Sequence, residues 1–202
     1  NSPATLTSIF PTLINEIIAS LASTDETEQH SAGEALGGIV KKMGVGVLKV
    51  VVPLLQTRLN SEEESTRQGV CLGLSEIMRS TSKKRISEYV PVLIAAVRDA
   101  LCDEVESVRE AAGAAFQTLH SIVGQDAIDE IVPALVKQLG ANDNDIEEKE
   151  AEDGDELDED EDEAGDDEDG DDDGYIEPEL VLGGMRQILK THSRMVLPFL
   201  VP

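Results

Sequence analysis

The sequence has no tryptophan, and its three phenylalanines and two tyrosines bring aromatics to only 2% of 202 residues. A core built without large rings must come from leucine, isoleucine, valine and alanine, which is the material of stacked helices. Cysteine is almost as scarce. Cys71 and Cys102 lie inside apolar runs with no Cys-x-x-Cys spacing, so neither a disulfide framework nor a zinc knuckle organises the chain, and both are expected as reduced core residues. No apolar run approaches the ~18 residues of a membrane span, and no secretory leader is recognisable. The expectation is a cytoplasmic protein without a membrane partner. The chain opens on Asn1 and stops at Pro202 just as a new apolar stretch begins, and it reads as a piece of something longer.

Raw material for catalysis is also thin. His30, His120 and His192 are far apart and form no ligand spacing, and neither a G-x-x-x-x-G-K-S/T phosphate loop nor a G-x-S-x-G elbow occurs. No catalytic, cofactor or metal site is expected, and the chain is not read as an enzyme.

Positive charge is in short supply, with 16 Lys and Arg against 42 Asp and Glu and a formal net charge of −26. The imbalance is local. Residues 141–174 hold 22 of the acidic residues and one of the basic ones, which leaves 20 against 15 elsewhere, a net of −5. A run so charged and so poor in apolar groups cannot offset the entropy of ordering, and it is expected as a disordered acidic loop. It is either a solubilising insertion or a salt-sensitive contact for a basic partner. Within it, Asp169, Asp171, Asp173 and Gly174 resemble the opening of an EF-hand calcium loop. The twelfth position is Leu180 instead of a bidentate glutamate, so the match is read as a by-product of acidic composition.

What the chain does have is an internal repeat. Pro11, Pro53, Pro91 and Pro133 recur at intervals of 42, 38 and 42 residues, each opening a phrase such as Pro53-Leu-Leu-Gln or Pro91-Val-Leu-Ile, and Pro198 starts a fifth. A second phrase aligns on Gln29, Arg67, Arg109 and Pro178. Seven residues beyond lie Leu36, Leu74, Phe116 and Met185, and ten beyond lie Ile39, Ile77, Leu119 and Ile188, which are helical offsets. Six beyond stands a small-residue column, Ala35, Gly73, Ala115 and Gly184. Glycine costs a helix about 1 kcal/mol relative to alanine, so its recurrence implies close approach of a neighbouring helix. Polar joints beginning at Ser23, Ser61 and Asp103 are expected to cap the second helix of each unit.

Two helices per roughly 40 residues, unable to bury both faces alone, must stack on neighbours. The period and the residues resemble HEAT repeats, which implies an all-α solenoid: a right-handed superhelix of antiparallel helix pairs interrupted by the disordered acidic insertion. On this reading residues 1–140 hold three repeats and the first helix of a fourth, 141–174 the loop, and 175–202 the fourth repeat's second helix and the start of a fifth. The Pro133-to-Pro198 interval of 65 residues exceeds one period by the length of the insertion. HEAT resemblance also implies a ladder of aspartates and arginines. Only the third repeat has both, Asp103 and Arg109; Arg67 lacks an aspartate six residues before it, and Gln29 and Pro178 replace the arginine.

The folded part is slightly acidic, so no sequence-specific nucleic-acid binding is expected. Its one basic cluster, Lys83, Lys84 and Arg85 with Arg79 nearby, is either a solvated turn or a contact to an acidic partner or ribosomal RNA. Val196, Leu197, Phe199 and Leu200 are expected as exposed apolar surface favouring self-association.

The phrase running from Arg67-Gln-Gly-Val-Cys-Leu-Gly to Met78, the phrase Ala100-Leu-Cys-Asp-Glu-Val-Glu-Ser-Val-Arg and the final Val196-Leu-Pro-Phe-Leu-Val-Pro resemble a more particular group. They look like the general-control activators of the stress kinase that acts on translation initiation factor two alpha. That resemblance implies a C-terminal-half segment of a giant HEAT scaffold that rides on ribosomes and polysomes and binds the RWD domain of the kinase. The implied role is non-catalytic, raising the effective concentration of kinase and ribosome. A nuclear transport receptor, disfavoured by the missing tryptophans, and a purely structural spacer stand as alternatives.

Overall fold

The computed structural model describes the backbone of residues 3–152 and 176–200, with side chains from 12 to 139, Val45 apart, and from 176 to 200. Among the described residues the ordered elements are helical. They run in pairs: α1 (Pro3–Leu21) with α2 (Glu26–Met43), α3 (Leu48–Leu59) with α4 (Glu64–Ser80), α6 (Val90–Leu101) with α7 (Glu106–Val123), and α8 (Gln125–Glu152) with α9 (Pro178–Leu200). A short α5 (Lys83–Ile86) precedes α6. Short 3-10 turns, Val45–Val47 and Ser87–Tyr89, lead into α3 and α6, so two of the proline-bearing first helices begin on tightened turns. Pro53, Pro91 and Pro133 are exposed, which keeps the missing N–H of each ring out of the core. Pro11 lies within α1.

Each pair packs internally, and the second helices also stack on one another, α2 on α4, α4 on α7 and α7 on α9. Contacts between successive first helices are sparser. The second helices therefore form the tight inner layer and the first helices a splayed outer one, which is the geometry of an α-solenoid. One continuous apolar cluster runs the length of the stack, from Ile14 to Val196.

The aligned columns explain that cluster. Leu36, Leu74, Phe116 and Met185 are all buried, as are Ile77, Leu119 and Ile188, with Ile39 partly so. At about 1.5–3 kcal/mol for each large side chain withdrawn from water, these columns are the main driving force for stacking. In the small column, a Cβ on Gly73 would come 2.9 Å from Leu21 Cδ1, and one on Gly184 would come 2.5 Å from the Leu101 carbonyl oxygen. In both cases the contacted residue is the last of the preceding repeat's first helix, so close helix approach is what the glycines permit. Ala35 is exposed, because α2 has no preceding repeat in this chain to pack against. The tightest approach belongs to a residue outside the column: a Cβ on Gly69 would collide with the Leu21 carbonyl. Glycines at φ 75°, Gly44 and Gly124, end α2 and α7 and turn the chain into the next repeat.

Two expectations change. The first is the start of the acidic segment: helix α8 continues past residue 140 to Glu152. No glycine or proline occurs between Gly140 and Gly154, and Ala, Glu, Ile and Lys there sustain a helix already begun. The rest of the acidic tract, with the calcium-loop-like match at Asp169, lies outside the described residues. The second is Val196, expected at the surface but 0% exposed. It follows the one non-helical residue of α9, His192 (φ −127°, ψ 29°), where the path turns from the fourth repeat's second helix into the segment carrying Pro198. The turn drives Val196 into the core, whereas Met195, Leu197, Phe199 and Leu200 remain exposed.

Candidate interaction face and the joints that position it

The joints set the spacing of the inner layer, and they share one device. Six residues before each anchor, Ser23 Oγ, Ser61 Oγ and Asp103 Oδ1 accept the backbone N–H two residues on, from Asp25, Glu63 and Val105, at 3.2, 3.3 and 2.9 Å. Side-chain capping proper occurs at the first joint alone among these three, where Asp25 Oδ1 accepts from Thr27 and Glu28 N–H at 2.8 and 3.4 Å. Those bonds hold the Asp25 carboxyl below its ordinary pKa. Glu63 and Val105, the residues at the cap positions of α4 and α7, make no such bond; valine has no acceptor to offer. Arginine fastens these two joints from the carbonyl side instead. Arg67 Nη1 donates to the Ser61 and Glu62 carbonyls (2.8 and 3.1 Å), and Arg109 Nη1 donates to the corresponding Asp103 and Glu104 carbonyls (2.6 and 2.9 Å).

Each arginine thus closes its own joint, and Arg67 also reaches the next one. Its Nε and Nη2 donate to Asp103 Oδ2 and Oδ1 at 2.7 and 3.0 Å, with both side chains about nine-tenths buried, at 8% and 10% exposure. The aspartate partner of an arginine therefore lies in the following repeat, not six residues before it. The bidentate pair with Asp103 raises the guanidinium's pKa further. Arg109 has no such partner among the described residues: its Nε is buried without a hydrogen bond and lies where a Cβ on Gly183 would come 2.8 Å away. The residue six before Pro178 is Asp172, which is outside the described residues.

On the inner layer, α2, α4 and α7 enclose a cleft of about 240 Å³. Gln29, His30 and Gly33 come from α2, Leu72, Ser75 and Glu76 from α4, and Ala114 from α7. Gly33 shapes it, since a Cβ there would lie 3.0 Å from Glu76 Cγ. The floor is apolar and the rim charged. Ser75 Oγ is buried with no hydrogen-bond partner among the described residues, an unusual state for a hydroxyl beside an open cleft. The sequence marked none of these as a site, since each also reads as an ordinary helix-surface residue.

The basic cluster separates. Lys83, Lys84 and Arg85 stand exposed on α5, whereas Arg79 Nη1 bonds Glu76 Oε1 at 2.6 Å and lines the cleft. Cys71 and Cys102 are free and buried, and burial pushes their thiols up to about 12 and about 11, which makes both unreactive. Among the described residues no group of three or more His, Cys, Asp and Glu could hold a metal ion, and no helix is long and apolar enough to cross a membrane. Two of the histidines that are far apart in sequence do meet: His120 Nδ1 and His192 Nε2 lie 3.1 Å apart across α7 and α9. A separation of 72 residues with the acidic tract between hid that contact. Its signal was positional, for they stand eleven and fourteen residues past their anchors, one helical turn apart on adjacent second helices.

Helix pairs stacked through a continuous apolar seam, with arginine-closed joints and an open inner cleft, define a segment of a HEAT-repeat solenoid. Residues 3–158 match the family of HEAT repeats of stalled ribosome sensor GCN1-like proteins. The chain belongs to that family. Across all 202 residues it is 38% identical to the stalled ribosome sensor GCN1 of Homo sapiens and of Mus musculus, covering 100% of this chain and 6% of each relative. It is 35% identical over 203 residues to the eIF-2-alpha kinase activator GCN1 of Dictyostelium discoideum, covering 100% of this chain and 6% of the relative. With the Saccharomyces cerevisiae protein of that name it shares 35% identity over 145 residues, 71% of this chain and 5% of the relative. The chain thus spans only a small part of the length of the relatives it matches.

Proposed function

We propose that this chain is a non-catalytic scaffold segment of a ribosome-associated activator of the initiation factor two alpha kinase. In that role it couples stalled ribosomes or amino-acid starvation to translational control by protein–protein binding. The observation that carries the reading is the match to GCN1 relatives along the whole chain, on a fold whose inner layer offers an open cleft and whose cysteines are buried and inert. Such a rod contributes by holding partners at high effective concentration. The family assignment sets the nuclear transport receptor aside. A cytoplasmic location follows from the ribosome-linked names of the relatives.

Two contacts are assigned within this reading. The cleft bounded by Glu26, His30, Glu76 and Arg79 takes the kinase's RWD domain, and the exposed Lys83, Lys84 and Arg85 face the ribosome, where phosphate is the nearest anion. Titration calorimetry of the chain, with and without residues 143–173, against the isolated RWD domain across a salt series tests the first. Saturable binding that survives removal of 143–173 and is lost in Ser75→Trp, which fills the cleft, supports it. Absence of binding in either form leaves the segment as spacer or ribosome-facing surface. Replacing Lys83, Lys84 and Arg85 with glutamate should weaken co-sedimentation with ribosomes without changing the RWD titration.

A further inference from the structure

His192 is the one residue of α9 with non-helical backbone angles, and it sits where the fourth repeat's second helix gives way to the segment carrying Pro198. Its ring is held from both ends. Thr191 Oγ1 donates to the Ile188 carbonyl (3.3 Å), so that oxygen is left to accept from His192 Nδ1 at 2.7 Å. With its proton on Nδ1, His192 presents a bare Nε2, which accepts from His120 Nδ1–H at 3.1 Å. Phe116 closes the cluster, its centroid 5.4 Å from the His192 ring at 89° and 6.4 Å from the His120 ring. The chain of donors runs in one direction: His120 to His192 to Thr191 to the Ile188 carbonyl.

We propose that this His120–His192 contact is a pH-sensitive latch on the joint between the fourth repeat and the helical segment that follows. The latch tolerates one added proton and opens on the second. One added proton, placed at His120 Nε2, leaves Nδ1–H donating as before. The second has only His192 Nε2 to occupy. It would then set two N–H groups head to head at 3.1 Å, each on a cationic ring, and the contact must open.

The surroundings favour this behaviour. From α7 the charged and titratable groups toward α9 are His120, Arg109, whose Nε lies beside Gly183, and Glu110, held by Lys190 at 3.6 Å. Helix α6 brings Arg98 and Asp99, bound to each other at 2.8 Å. Helix α8 brings Asp126, Asp129, Glu130 and Lys137, all exposed, and α9 itself carries exposed Lys190 and Arg194 on either side of His192. None of the carboxylates is bonded to either ring among the described residues, so nothing of opposite charge relieves the second proton. Burial, and then the charge of His120, lower the pKa of His192. The sign follows: a histidine with a depressed folded-state pKa stabilises the closed joint above its unfolded value of about 6.5 and loses that contribution as pH falls through the folded value.

Imidazole nitrogen NMR on the full chain between pH 5 and 8 tests the latch, together with hydrogen exchange of amides 193–200 expressed as protection factors. At pH 8 both His120 and His192 should carry their proton on Nδ1, the reverse of the tautomer free histidine prefers. Below pH 6 protection of 193–200 should drop about tenfold, while α4 and α7 keep theirs. His120→Gln, which can donate but cannot charge, should retain the closed joint and flatten that pH profile. If both rings carry their protons on Nε2 at pH 8, or protection is independent of pH, or the profile persists unchanged in His120→Gln, the latch is overturned. The wild-type measurements decide it even if the variant does not fold.

Discussion

The interface between the second and third repeats and the one between the third and fourth are built from equivalent helices, yet differ in how an arginine ends. Arg67 closes its own joint and then grips the carboxylate of the next, whereas Arg109 closes its own joint and leaves Nε buried without a described partner. Between the first and second repeats no such rung occurs among the described residues, and the positions equivalent to Arg67 and Asp103 are Gln29 and Ser61. A polar ladder is therefore a property of successive joints. It cannot be scored repeat by repeat.

That contrast can be broken most directly at Arg67. Arg67→Ala strands the buried Asp103 carboxylate and is expected to lower the unfolding free energy by about 3–5 kcal/mol. Arg109→Ala, which removes two carbonyl contacts and no described ion pair, should cost about 1–2 kcal/mol. Urea unfolding of both variants checks the difference, and equal losses would show that the rung is not what separates the interfaces. Next in size is Gly69→Ala, which puts a methyl group into the Leu21 backbone and should cost about 1–3 kcal/mol, because a backbone cannot swing aside as a side chain can. Building a rung sharpens the comparison from the other side. Gln29→Arg with Ser61→Asp should show a favourable coupling of about 1 kcal/mol in a double-mutant cycle, and zero coupling would mean the first interface is spaced too widely. The smallest effect belongs to Asp25→Asn. The lowered carboxyl pKa stabilises α2 above the unfolded value of about 3.9, and that contribution fades as pH falls through the folded value. The variant should differ from the parent in thermal melts at pH 7 and converge with it near pH 2.

Much of the stack was legible because it is written in side chains that must be buried. The proline phrases and the columns through Leu74 and Ile77 report a helical period directly, and the glycines of the small column report close approach. What escaped depends on two repeats at once. Arg67 has no aspartate six residues before it, because its partner, Asp103, stands in the next joint. His120 and His192 carry no local pattern at all, and only the register between α7 and α9 brings them together. Arg79 looked like part of a basic cluster by proximity in sequence, but one turn of helix carries it toward Glu76 and away from Lys83. The cleft was invisible for a related reason: its apolar floor is assembled from three helices, none of which has an unusual residue there. Val196 differs because a backbone turn at His192, which nothing in the local composition announces, sends it inward.

The uneven packing of the two helix layers has a mechanical consequence. A beam bends about the plane where its material resists both stretch and compression most, and here that plane lies among the second helices, which stack on one another more closely than the first helices do. Flexing the rod opens or shuts gaps between first helices while the inner layer hardly changes length. A partner seated along the inner layer would then meet landing points at constant spacing while the rod as a whole changes curvature. The segment can act as a flexible ruler.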